Sequence, residues 1–123
     1  MRARDNVANA NDLHERLLGE AGMLLGMLAD VTRLRLMGVL LGGERDVTAL
    51  TEAVGAARPA VSQHLGKLRL AGLVTTRREG RRVVYAVADP HVARLVTEAL
   101  HAAEHRVSDR PGHHDAVPVP RHA

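Results

Sequence analysis

The sequence predicts a mainly α-helical fold with one small β-hairpin. Leucine and valine recur at spacings of three, four and seven residues, which is typical of amphipathic helices. Two runs rich in β-branched residues, 73–78 and 81–87, flank Glu79-Gly80, which favours a hairpin. The 123 residues include one tyrosine and no phenylalanine or tryptophan, so the core must be aliphatic. Because a small aliphatic core often needs further burial from a second subunit, we expect a homodimer.

The first two helices are predicted from their apolar stripes and their caps. The first is expected from about residue 11 and has Leu13, Leu17, Leu24 and Leu28 on its stripe. Asp30 can cap a second helix, which Gly42-Gly43 ends. We expect dimer contacts to be made by the first helix together with the terminal helix.

A third and a fourth helix follow, with only a short turn between them. Asp46 can cap the third helix, which ends at Gly55. Pro59 suits the first turn of the fourth helix, which runs to about Gly72. Two helices joined by a glycine-containing turn form a helix-turn-helix. Because the hairpin of residues 73–87, here called the wing, follows directly, the sequence predicts a winged helix-turn-helix.

Positive charge is confined to the segment that contains the fourth helix and most of the wing. Residues 56–82 hold 7 Lys+Arg against 1 Asp+Glu, a net charge of 7 − 1 = +6. The flanking segments hold 6 against 8 (residues 1–55) and 4 against 5 (residues 83–123). This excess favours a polyanionic partner over a merely solvated face.

Double-stranded DNA fits these features, because a polar helix can enter the major groove while a basic wing contacts the backbone. The predicted DNA contacts are Arg58, Ser62, Gln63, His64, Lys67, Arg69, Arg77, Arg78, Arg81 and Arg82. One such unit covers half of a site, so we expect a dimer bound to an inverted-repeat operator.

Asp89 can cap, and Pro90 can open, a fifth and terminal helix. The predicted domains are a flexible N-terminus (1–11), a DNA-binding and dimerisation domain (12–105) and a histidine-rich flexible tail (106–123). No run of about 18 apolar residues and no apolar signal segment is found, so we expect a cytoplasmic protein that does not associate with membranes.

Six of the eight histidines lie in residues 91–123 and cysteine is absent, which favours a metal site of nitrogen and oxygen ligands. His91 and His105 would lie about 21 Å apart along one helix, so they cannot bind one ion within a chain. They share a helix face, about 40° short of four full turns. If terminal helices pair antiparallel across a twofold axis, His91 meets His105 of the partner subunit, which gives two intersubunit sites. His101 lies four residues before His105, a spacing that lets two imidazoles share an ion, whereas Glu104 points elsewhere on an ideal helix.

The chain resembles the ArsR/SmtB family of metal-sensing bacterial repressors. The resemblance lies in residues 28–34 (LADVTRL), 61–68 (VSQHLGKL), 71–74 (AGLV) and 77–81 (RREGR) with Tyr85, and covers about residues 13–105. It implies a dimeric winged helix-turn-helix repressor that metal binding releases from DNA. The resemblance does not extend to those members that bind metal through cysteines near the third helix, because residues 46–50 contain no cysteine.

Two branches of the family place ligands on the terminal helix. Zinc-type members have Asp-x-His and then His-x-x-His, which Asp89, His91 and His105 fit while Ala102 does not. A nickel/cobalt-sensing branch has an opening histidine, a closing Glu-His pair and a His-His pair in the tail. The residues here that match that branch are His91, Glu104, His105, His113 and His114.

The expected function is therefore repression of transcription by a homodimer that Ni(II) or Co(II) releases from its operator. Asp89, which also fits a helix cap, His101 and His122 are additional ligand candidates. The alternatives are a zinc-responsive repressor of the same fold, with Zn(II) as the ion, and a metal-blind winged-helix regulator. An enzyme is not expected, because no pocket with an acid or a base can be placed.

Overall fold

The structure is a computed structural model that describes the backbone of residues 2–109 and the side chains of residues 9–109. Its helices are α1 (Arg2–Leu28), α2 (Val31–Leu41), α3 (Val47–Val54), α4 (Arg58–Leu70) and α5 (Pro90–Ser108). Its strands are β1 (Arg45–Asp46), β2 (Val74–Glu79) and β3 (Arg82–Val87). The predicted mainly helical class with a small hairpin is confirmed. Within residues 2–109, no helix is both long and apolar enough to cross a membrane.

Three aspartates cap helices as the sequence predicts. In each case Oδ1 accepts a hydrogen bond from the backbone N–H three residues later: Asp30 from Arg33 (2.9 Å), Asp46 from Ala49 (2.8 Å) and Asp89 from Val92 (2.9 Å). These bonds satisfy N–H groups that have no partner inside the helix. The starts of α2, α3 and α5 are therefore set by local sequence.

The wing is the β2–β3 hairpin, in which Glu79 pairs with Arg82 across a two-residue turn. Gly80 has φ +63° while Arg81 does not have a positive φ, as in a type II′ turn, which needs glycine only at its first central position. The sheet has a third strand, β1, which pairs antiparallel with β3 and gives the order β1-β3-β2. A strand of two residues has no alternating pattern, so the sequence did not predict it. The pairing of β1 with β3 joins the wing to the start of α3.

The core is aliphatic and lies between the helix-turn-helix and the other helices. Its buried members are Leu28, Leu36, Met37, Leu40, Leu50, Val61, Leu65, Leu68, Leu73, Val74, Val92 and Val96. The inner face of α4 contributes Val61, Leu65 and Leu68, each with 0% of its surface exposed. This packing holds α4 by one face and leaves the opposite face in solvent.

Two helices are longer than the sequence predicts. Helix α1 begins at Arg2 instead of near residue 11, since residues 2–10 contain no proline or glycine to stop it. Helix α5 continues to Ser108, past the predicted domain end at residue 105. The flexibility of residues 1–11 and 106–123 stays a prediction.

Replacing Leu68 with alanine should lower the free energy of unfolding by about 2–5 kcal/mol, because it leaves a cavity in a closed core. Leu70, on the same helix but 91% exposed, is the matched control, and its alanine variant should change stability by less than about 0.5 kcal/mol. Urea unfolding at one fixed protein concentration measures both values. Equal losses for the two variants would contradict the packing of α4 described here.

Candidate DNA interface and candidate metal site

The outer face of α4 has the polar side chains that the sequence predicts for it. Ser62, Gln63, Lys67 and Arg69 are exposed, while Leu65 and Leu68, which lie between them in the sequence, are buried in the core. Short hydroxyl and amide groups can exchange hydrogen bonds with base edges, and long cations can reach phosphates. The exposed face therefore has the chemistry of a helix that enters the major groove.

A groove of about 240 Å³ lies between the helix-turn-helix and the wing. Arg58 at the start of α4 lines it together with Arg81 and Arg82 of the wing. The Nη1 atom of Arg58 donates a hydrogen bond to Thr48 Oγ1 at 3.2 Å, which holds the guanidinium at the rim. Three of the predicted DNA contacts thus line one groove.

Two of the four wing arginines are paired with carboxylates. Arg77 donates to both oxygens of Glu44, at 2.9 and 3.1 Å, and lies 2.7 Å from Glu79. Arg82 donates to Asp46 at 3.2 Å and to Glu79 at 2.8 Å. The hydrogen bonds from Arg77 hold the pKa of Glu44 below its usual value. Hydrogen bonds from Arg77 and, to a smaller extent, from Arg82 also lower the pKa of Glu79. Both carboxylates therefore stay charged at neutral pH.

The other two wing arginines, Arg78 and Arg81, are exposed. In the part of the chain that the structure describes, neither has a carboxylate within ion-pair distance. Their full charge faces solvent, whereas that of Arg77 and Arg82 is largely compensated. The net positive potential of the wing is therefore lower than its arginine count indicates, and it is concentrated at Arg78 and Arg81.

His64 lies apart from the other predicted DNA contacts. Its side chain is only 23% exposed, and Nδ1 is 3.3 Å from Arg33 Nη1 and 4.0 Å from Asp30 Oδ1. The ring thus faces the start of α2, on the inner side of α4. Nothing in the local sequence pattern indicates this direction, because Arg33 is 31 residues away.

The candidate metal ligands that the structure describes lie on α5 or at its cap. His91 and His105 are both exposed on this one helix, at opposite ends of it. Asp89 Oδ1 is used by the helix cap. Residues 113, 114 and 122, the three tail histidines, lie outside the described residues.

His101, Glu104, His105 and Ser108 line an open groove of about 320 Å³ near the end of α5. Glu104 is one of the residues that border this groove together with the two histidines, and its role as a metal ligand stays a prediction. Imidazole nitrogens and a carboxylate are ligands that suit Ni(II), Co(II) and Zn(II). Even so, among the side chains of residues 9–109 no three His, Asp or Glu groups are close enough together to hold an ion. Within the described residues, then, one chain offers donors of the right chemistry without a complete site.

Asp109 is a further residue of this region that sequence reasoning missed. Its Oδ2 lies 2.9 Å from Nε2 of His105, four residues earlier. A carboxylate that accepts Nε2–H fixes the tautomer of the ring and leaves the Nδ1 lone pair for a metal ion. The four-residue spacing between His105 and Asp109 was a signal that could have found it.

The described fold and surfaces define a class of protein. A helix-turn-helix, a basic wing and an exposed polar α4 make a winged-helix DNA-binding protein. The model of the family described as "Bacterial regulatory protein, arsR family" matches residues 30–76, which include α2, the helix-turn-helix and the start of the wing.

Known relatives agree with that match. The HTH-type transcriptional regulator KmtR of Mycobacterium tuberculosis is 47% identical over 91 residues, which cover 74% of this chain and 70% of KmtR. The HTH-type transcriptional repressor SmtB of the same species is 43% identical over 89 residues, 72% of this chain and 66% of SmtB. The chain belongs to the ArsR family, and it is therefore a DNA-binding transcriptional regulator, not an enzyme.

A solved structure shows the same architecture. The homodimeric winged helix-turn-helix DNA-binding domain of a Mycobacterium bovis protein superposes with a TM-score of 0.72 at 34% identity. The match covers 78% of this chain and 89% of that domain. The winged helix-turn-helix that the sequence predicts is confirmed.

We predict that the wing arginines contribute unequally to DNA affinity. Arg78→Ala and Arg81→Ala should each reduce the slope of log affinity against log salt concentration by about one, the value for a lost phosphate contact. Arg77→Ala and Arg82→Ala should reduce it less, because carboxylates already occupy those guanidiniums. Fluorescence anisotropy at several salt concentrations measures the slopes, and four equal reductions would contradict the ion-pair assignment.

Proposed function

We propose that the protein is a homodimeric repressor that binds an inverted-repeat operator and releases it when Ni(II) or Co(II) binds between the terminal helices. The observation that supports this most directly is the position of His91 and His105. Both are exposed on one continuous helix of 19 residues. Their separation along the axis is about 21 Å, so only a second chain can bring the two ligands to one ion.

Helix α1 supports the homodimer. Its last turn joins the core through Leu24, Met27 and Leu28. Leu13, Leu17 and Leu18, further toward its N-terminus, and Leu25, next to Leu24, are 54–59% exposed. So much exposed apolar surface on one helix is typical of a subunit interface. The solved relative from Mycobacterium bovis is itself described as homodimeric.

In the proposed site, His91 of one subunit binds the ion together with residues near the end of α5 in the other subunit. The ligands from that end are Glu104 and His105, with His101 beside them in the same groove. His113 and His114 are proposed to complete a six-ligand shell from the tail. Nitrogen and oxygen ligands in that number favour Ni(II) or Co(II) over tetrahedral Zn(II). The bound metal would supply a cross-link between the two terminal helices.

Metal binding at His91 must displace a neighbour. The Nη2 atom of Arg94 lies 2.9 Å from His91 Nδ1, and a guanidinium can only donate. If the metal binds Nδ1, the lone pair is used; if it binds Nε2, Nδ1 carries a proton and cannot accept. Either mode ends the contact with Arg94, so a local side-chain rearrangement accompanies binding.

Release from DNA follows from the dimer geometry. Two recognition helices match successive major grooves only when they are about 34 Å apart. A cross-link between the α5 helices would favour a subunit arrangement with a different spacing. Thermodynamic linkage then requires DNA to weaken metal binding by the same factor.

Two alternatives remain open, a zinc-responsive repressor and a metal-blind regulator. The zinc-type set needs an Asp89 carboxylate, one oxygen of which caps α5, and a histidine where Ala102 stands. These two observations favour nickel or cobalt. In a metal-blind regulator, the histidines exposed on α5 would not bind an ion together.

Titrating metal into the complex of the protein with its operator tests the function. We expect Ni(II) and Co(II) to weaken operator affinity by at least about tenfold, within the usual range of coupling between two sites. Anisotropy of a labelled duplex reports the release. Release by Zn(II) alone would support the zinc-responsive alternative. No release by any of the three ions would contradict the proposal and support a metal-blind regulator.

Mixed dimers test whether the site lies between subunits. His91→Ala and His105→Ala homodimers should both lose metal affinity, while His14→Ala, which changes a histidine outside the proposed site, should not. A heterodimer of the two variant chains should regain one site, because His91 of one chain faces His105 of the partner subunit. Isothermal titration of the purified heterodimer counts the ions. A heterodimer that binds none would contradict the intersubunit arrangement.

A further inference from the structure

We infer that His64 is a positioning residue that ties the recognition helix α4 to the junction between α1 and α2, instead of a residue that contacts a DNA base. The inference rests on the DNA-binding part of the proposed function and is independent of the metal site.

A single arginine connects three helices at this point. Arg33, on α2, donates from Nε to the backbone carbonyl of Met27 in the last turn of α1, at 2.5 Å. Its Nη1 atom lies 3.3 Å from Nδ1 of His64 on α4. The backbone N–H of Arg33 is bound to Asp30 Oδ1, which also lies 4.0 Å from His64 Nδ1. The guanidinium is thus held between α1 and α4.

The direction of the His64 ring follows from its place on the helix. Val61 and Leu68, three residues before and four residues after it, are fully buried, so the three share one helix face. Ser62 and Gln63, on the outer face, are exposed. For the ring to reach a base edge it would have to leave Arg33 and Asp30 and turn around the helix.

The chemistry of the contact specifies the tautomer. A guanidinium has five N–H donors and no acceptor, so Nδ1 must accept the hydrogen bond from Arg33 and the proton lies on Nε2. The guanidinium is planar, and it bridges the Met27 carbonyl and the ring in one fixed geometry. This bridge sets the orientation of α4 relative to the end of α1.

Three substitutions of His64 separate the two roles. The carbonyl oxygen of asparagine lies near the position of Nδ1, whereas that of glutamine reaches the position of Nε2. A duplex selected by the wild-type protein from a random pool serves as the probe. We expect His64→Asn to retain affinity within about threefold, while His64→Gln and His64→Ala lose about tenfold, the value of a hydrogen bond to a charged group.

The opposite ranking would overturn the inference, because it would mean that Nε2 contacts DNA. Equal affinities for all three variants, or equal losses, would overturn it as well. Circular dichroism of each variant controls for folding. A wild-type protein that selects no duplex would overturn the proposed function and this inference with it, whereas the ranking of the variants overturns the inference alone.

A double-mutant cycle tests the link to Arg33. Arg33→Ala and His64→Ala should weaken binding to the selected duplex by similar factors, and the double variant by no more than about the larger of the two. Additive losses would overturn the link. Duplexes with single base-pair changes give a second measurement. Loss of a positioning residue should lower the affinity for all of these duplexes by the same factor, whereas lost discrimination at one base pair would indicate direct contact.

Discussion

The packing of α4 against α2 and α3 is the interaction on which the rest of this structure depends. Val61, Leu65 and Leu68 are fully buried in the same core as Leu36, Met37 and Leu50. Because the helix is held by one face, the side chains of its other face must point to solvent, and these are the polar and basic ones. DNA recognition chemistry is therefore a consequence of core packing, and a change of helix rotation would alter both together.

Charge on the DNA-facing side is shaped by carboxylates as much as by arginines. Glu44 immediately precedes β1, and Asp46 is its last residue. Glu44 pairs with Arg77 of the wing, and Asp46 pairs with Arg82. Such exposed pairs contribute little to stability, but they fix long side chains and reduce the positive potential that attracts any polyanion. A wing with two compensated and two uncompensated arginines therefore attracts a polyanion less strongly than four uncompensated arginines would.

The length of α5 keeps the candidate metal ligands at its two ends apart. Donor groups of suitable chemistry lie at both ends of a straight element, so a single chain presents two partial ligand sets and, within the described residues, no complete one. Dimerisation would join the two halves, and the exposed leucines of α1 provide an apolar surface for it. Asp109 Oδ2 lies 2.9 Å from Nε2 of His105, so the end of the helix also orients the ring of this candidate ligand.

Local sequence was sufficient for the helix caps at Asp30, Asp46 and Asp89, the hairpin at Glu79-Gly80 and the polar face of α4. Each depends on residues within about four positions of one another, where spacing and backbone preference act directly. Tertiary structure alone decided the pairing of β1 with β3, the contacts of Arg77 with Glu44 and of Arg82 with Asp46, and the direction of His64. Those contacts join residues 31 to 40 positions apart in the sequence. Local periodicity contains no information about such pairs, because only the packed core brings them together.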